Sequence, residues 1–168
     1  DIILTEGAVP ELLAYIKNHP DIGILGPKQF NFNGSIQQSF FRFYKPVTIL
    51  YRRTFLGRFA FAKKHLAWFA MEEVGDPKEP IPAEWVIGSA LFVKRQTALD
   101  VDWCRRFWEK GLRVVYYPQC FVYHYHAKGS GRGGLIRSLL SNKLTWYHIQ
   151  SAFKYFWKYQ GKKSPQIF

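Results

Sequence analysis

The chain has 168 residues, 48% of them apolar, with 24 Lys and Arg against 12 Asp and Glu. That length suits one domain, and that apolar content is enough for a core, which excludes a disordered tail. A formal charge of +12 draws phosphates, nucleotides, nucleic acid or an anionic membrane surface. It says nothing of fold.

In chain order, residues 1–4 are β-like, and "EGAVPELLAYIKNHPDIG" reads as a helix with Pro10 in its first turn and Val9, Leu12, Leu13 and Ile16 on one face. The opening "DIILTEGAV" has no Met, and the expectation is that an N-terminal part precedes it. Nothing in it reads as a signal peptide. His19-Pro20 stops the helix, Ile22–Phe30 is a short apolar strand, and Asn33-Gly34 turns between two strand-like arms. From 46 to 71 aromatics alternate with Arg and Lys, which interrupt the most hydrophobic stretch before it reaches the length of a membrane span. An acidic, Pro-rich loop, "EEVGDPKEPIP", then leads to "EWVIGSALFVKR", which predicts one strand with Gly88-Ser89 where backbone approaches something closely.

A helix is predicted from Asp100, with Asp100 or Asp102 as its N-cap, Val101, Cys104 and Trp108 on one face, and Gly111 as its closing glycine. "RVVYY" and "CFVYHYH" predict two further strands on either side of Pro118, and residues after 134 read as a long basic, aromatic, amphipathic helix. Cys104 and Cys120, without C-x-x-C spacing, indicate neither a disulfide framework nor a structural zinc site. Two buried reduced thiols in a cytosolic protein are expected.

Two groups could carry chemistry. In "LDVDWCRR" an Asp at a helix start most often caps free N–H groups, which accounts for Asp100 or Asp102 but does not need both. A carboxylate in the same place can also take a proton from a hydroxyl within hydrogen-bond reach. In "CFVYHYH" alternation puts Cys120, Val122, His124 and His126 on one strand face. Two imidazoles side by side bind a divalent metal or a phosphate, although a hydrogen-bonded His pair accounts for them as simply. The loop "AKGSGRGG" that follows is basic and rich in free amides, yet lacks the ending of a Walker A loop.

The ordered pieces "DIILTEGAVPELLAYIKNHPDIGILGPKQFNFNGSIQ", "EWVIGSALFVKR", "DVDWCRRFWEKGLRVVYYP" and "VYHYHAKGS" resemble the C-terminal portion of the inverting family 2 glycosyltransferases, the rhamnosyltransferase-like branch in particular. The resemblance implies an α/β, Rossmann-like GT-A domain over residues 1–134, incomplete as it stands, with a basic aromatic helical tail at 135–168. It implies transfer of a sugar from a nucleotide-sugar donor to a saccharide or lipid-linked acceptor in cell-surface polysaccharide synthesis. A divalent metal, Mg²⁺ or Mn²⁺, is the implied cofactor, with Asp1, His124 and His126 as its candidate ligands. Asp100 matches the family's catalytic base, with Leu99 standing where the motif has Glu. Trp85, Gly88, Ser89, Asp102 and Arg106 fall where donor and acceptor are bound, and Lys128 and Arg132 lie in the basic loop. The implied location is cytoplasmic, peripheral to the inner face of the membrane, because a basic aromatic helix suits an anionic interface.

Two rival readings come from other classes. A basic, aromatic nucleic-acid-binding module would suit the composition, but no RRM, KH or helix-turn-helix pattern is present and nucleic acid is not expected as a partner. The other is an inactive, membrane-associated scaffold that retains the transferase fold.

Overall fold

A computed structural model of the chain describes residues 2–93, 100–125 and 143–165, without the side chains of 100 and 143–145. The elements begin β1 (Ile2–Leu4), α1 (Ala8–Asn18), β2 (Ile22–Phe30), β3 (Ile36–Gln37), β4 (Phe40–Phe41), α2 (Pro46–Arg53) and α3 (Ala60–Phe69). They continue with β5 (Ile81–Pro82), β6 (Trp85–Val86), β7 (Phe92–Val93), α4 (Asp100–Glu109), β8 (Arg113–His124) and α5 (Lys143–Lys158). The fold is mixed α/β.

Gly7, at φ 78°, turns the chain into α1, where Glu11 in the first turn and Lys17 in the last both favour the helix dipole. Ala8, Leu12 and Ile16 repeat every fourth residue and are buried, which sets the helix orientation; Leu13, expected on that face, is exposed. These three meet Ile22, Leu25, Val115, Tyr117 and Cys120 from the sheet in one hydrophobic cluster.

The sheet runs in the order β1-β8-β2-β3, with β5 added to β8 and β7 to β2, while β4 and β6 pair separately. At its centre β2 and β8 are parallel; β1, β3, β5 and β7 pair antiparallel to their neighbours. A parallel centre requires cover on both faces, and β2 is buried at eight of its nine positions.

Two expectations about strands are corrected. "RVVYY" and "CFVYHYH" are one strand, β8, whose pairing with β2 jumps from Tyr117 to Phe121. Pro118 has no N–H to give the ladder, so it and its two followers bulge out while the strand continues. Conversely, "EWVIGSALFVKR" is not one strand: the Gly88-Ser89 turn divides it into β6 and β7, which join different sheets.

Two glycines of β2 admit close neighbours, Gly23 from α4 and Gly26 from β6. A Cβ on Gly23 would stand 2.0 Å from a ring carbon of Phe107, and one on Gly26 2.8 Å from the Cβ of Val86. The side chains α4 buries are Cys104, Arg105 and Phe107 rather than the expected stripe through Trp108, whose indole N–H instead donates to the Ala83 carbonyl at 3.1 Å. Gly111, at φ 74°, closes the helix and leads into β8.

The chain divides into two units: Asp1–Phe43, Ala67–Tyr125 and Ser164–Phe168 form one, and Tyr44–Leu66 with His126–Lys163 form the other. The second unit thus groups α5 with α2. Within that second unit, Thr48 is fully buried, its hydroxyl 2.7 Å from Nε2 of His65. The Tyr51 ring meets Phe61 and His65 edge-on. Burial, with Lys45 nearby, holds the His65 imidazole below its usual pKa.

Candidate active site

In open α/β sheets, ligands bind outside the carboxyl ends of the parallel strands. Here that end is marked by four polar residues. Gln29 of β2 and Gln37 of β3 stand directly opposite each other, and Gln29 pairs on its other side with Val122, two residues before His124. His124 places Nδ1 3.1 Å from Oε1 of Gln37, and the Ser89 hydroxyl donates to Oε1 of Gln29 at 2.8 Å. Gln29 is 1% exposed, so its amide is fixed by these partners and not by water. An amide oxygen only accepts, so in this contact Nδ1 of His124 is the donor.

Local sequence explains why these residues meet. Because β7 runs antiparallel to β2, the Gly88-Ser89 turn just before it returns to the carboxyl end of β2. Alternation sends Gln29 to one face and Lys28 to the other. On that second face Lys28 pairs with Asp76 at 2.5 Å, and Phe30 packs against Phe121 and Tyr123. The hydrogen bonds from Lys28 and Lys78 hold the Asp76 carboxyl below the usual carboxylate range. Phe107, near the carboxyl terminus of α4, covers Gly23 at the start of β2, and the turn after α4 feeds the start of β8; the side chain of Asp100, at the other end of this helix, lies outside the described residues.

The remaining sequence-derived candidates separate. Asp102 forms an ion pair with Arg106 one turn on, at 2.8 Å. Trp85 is buried: its indole donates to the Arg42 carbonyl at 2.7 Å and stacks on Phe41, so its ring supports the wall behind β6. Asp1, His126, Lys128 and Arg132 lie outside the described residues. Of the three candidate metal ligands only His124 is described, and among the described residues no group of three His, Cys, Asp or Glu is placed to hold a metal.

Neighbouring titratable groups are set away from proton transfer near neutral pH. Burial pushes the Cys120 thiol up to about 11, with Sγ facing the Ala8 carbonyl. Burial also raises the hydroxyls of Tyr116 and Tyr117, the latter donating to Glu11 at 2.9 Å. Sequence reasoning missed Gln29 and Gln37. The available signal was the polar pair Lys28-Gln29 inside an otherwise apolar strand, which requires buried partners. Comparison of the chain with protein-family models, with curated proteins and with solved structures returns no match.

Proposed function

We propose that this chain is part of an inverting glycosyltransferase of the GT-A type. It would move a sugar from a nucleotide-sugar donor to a saccharide or lipid-linked acceptor in cell-surface polysaccharide synthesis, on the cytoplasmic side. The observation that supports it best is the gathering of Gln29, Gln37, Ser89 and His124 at the carboxyl end of the parallel strands. This is where an α/β sheet binds ligands, and of these four residues the resemblance assigns Ser89 to substrate binding and His124 to the metal.

In this reading Asp100 takes the proton from an acceptor hydroxyl as its oxygen bonds to the anomeric carbon. The bond from that carbon to the diphosphate oxygen breaks, and the nucleoside diphosphate leaves with the electron pair. Attack from the face opposite the leaving group inverts the centre and needs one carboxylate. Asp102, held by Arg106, keeps α4 in register beside it. Gly88 and Ser89 line the donor side, Ser89 braced on Gln29; Lys128 and Arg132 are assigned to the diphosphate. The resemblance implies Mg²⁺ or Mn²⁺, which Asp1, His124 and His126 would hold and which would neutralise charge on the departing diphosphate.

The test is a scan of nucleotide sugars for transfer, with and without divalent metal, beside Asp100→Asn. The expected result is turnover of one donor and inversion at the anomeric carbon. The variant should bind that donor with unchanged affinity and lose roughly 10²–10⁴-fold in kcat. A variant as active as the parent would reduce Asp100 to a helix cap, and failure to bind any nucleotide sugar would overturn the reading as a whole.

A further inference from the structure

All the acidic residues fall in one of the two units. Tyr44–Leu66 and His126–Lys163 contain fourteen Lys and Arg and no Asp or Glu, whereas the other unit has ten basic residues against twelve acidic. The basic unit therefore carries +14 and the sheet-bearing unit −2. This is more than a high pI: every carboxylate that could screen the basic residues locally is absent from the unit that holds them.

The same unit exposes its largest apolar side chains. Along α5, Trp146, Ile149, Phe153 and Trp157 are spaced by three, four and four residues, which puts them on one stripe, and they are 52%, 40%, 66% and 70% exposed. Lys154 and Lys158 are exposed beside the stripe and Lys162 and Lys163 follow the helix, but no basic residue falls within it. From the first segment Phe55 and Phe61 are exposed as well, with Arg58, Lys63 and Lys64 among them. A contiguous aromatic stripe left in water marks an interaction surface.

We infer that this basic unit docks on the surface of an anionic lipid bilayer, with the Trp146–Trp157 stripe of α5 seated at the boundary between headgroups and acyl chains and its lysines among the headgroup phosphates. Charge complementarity selects the occupant. A second copy would set +14 against +14, and an acidic protein surface would be met by the lysines without a continuous exposed apolar stripe beside them. Nucleic acid would favour basic residues interleaved with the rings along the helix, whereas α5 separates an uncharged stripe from flanking lysines, the arrangement of an interfacial helix. Among the described residues no helix is long and apolar enough to cross a membrane, so α5 would lie in the surface.

Vesicle sedimentation of the full chain tests this without reference to catalysis. The probes are pure phosphatidylcholine vesicles and vesicles with one quarter phosphatidylglycerol. The chain should sediment with the anionic vesicles, at least tenfold less with the neutral ones, and progressively less as salt rises. Lys154→Gln and Lys158→Gln should each lower the partition coefficient about fivefold. Phe153→Ser with Trp157→Ser should lower it at least tenfold; both side chains are exposed, and circular dichroism should show the fold intact. Equal sedimentation with both vesicle types, none with either, or an unaffected Phe153/Trp157 variant would overturn the proposal. So would displacement from anionic vesicles by single-stranded RNA at equimolar phosphate, which would assign the surface to nucleic acid.

Discussion

Replacing Gly23 by Ala tests the contact that holds α4 to the sheet. The new methyl would stand 2.0 Å and 2.5 Å from two ring carbons of Phe107 and 3.1 Å from Cβ of Leu112. Ordinary contact begins near 3.4 Å, so the ring must retreat by more than an ångström. Phe107 is 8% exposed and has little space to enter. Overpacking of this kind costs about 1–3 kcal/mol, offset by about 0.4–1 kcal/mol from the stiffer unfolded chain. A net loss of about 1.3 kcal/mol, at roughly 2–4 °C per kcal/mol for a chain of this size, lowers Tm by about 3–5 °C. Thermal melts of the wild type, Gly23→Ala, Phe107→Ala and the double variant measure it. Phe107→Ala alone should lose about 3–5 kcal/mol, and the double variant less than the sum because the methyl then enters the vacated space. A Gly23→Ala Tm equal to or above that of the wild type, or strict additivity in the cycle, would refute the close approach.

Three further outcomes are expected. Asp76 titrates lower in the folded chain than unfolded, so its contribution is complete above the unfolded value near 4 and is lost as pH falls through the folded value. Asp76→Asn should flatten that acid limb in Tm measurements and, by leaving the largely buried Lys28 without this carboxylate, cost about 1–3 kcal/mol at pH 7. His65 has its folded pKa below the ordinary 6.5; stability should therefore decline as pH drops from 6.5 toward the folded value, and in His65→Gln the difference in Tm between pH 5 and 7.5 should shrink. Cys104 and Cys120 are both buried free thiols, and the Cys120 pKa is about 11, so a thiol-reactive disulfide reagent should titrate both in denaturant and neither, within minutes, in the native chain.

Patterns that are local in the chain were legible before the fold. α1 begins and ends near its turn residues, Gly34 sits at φ 80° in the hairpin turn, and Gly111 closes α4, because those signals act within a few residues. What required tertiary information was not. Leu12 rather than Leu13 faces the sheet because the cluster around Leu25 and Val115 fixes the rotation of α1. β8 passes through Pro118 because β2 supplies a partner on both sides of the bulge. At the candidate site, His124 and Ser89 were visible as residue types, but their amide partners were not, since Gln29 and Gln37 gain meaning only when β2 and β3 lie opposite each other. The division of charge was hidden because the two basic segments are separated in the chain by the acidic part of the other unit.

The parallel pairing of β2 with β8 also governs when this molecule can fold. β2 leaves the ribosome with β3 close behind, but its main partner, β8, comes last among the described strands of the sheet, and β1 waits for that same strand. At roughly 5–20 residues per second the apolar "IGIL" of β2 is without β8 for several seconds of synthesis. Non-local strand pairing is slow even after synthesis ends. A chain truncated before Arg113 would keep α1 and the β2–β3 hairpin yet expose the strand meant for the centre of the sheet, and such a product would aggregate. The protein is thus built so that its core closes last, and its yield in a cell depends on what shields β2 until then.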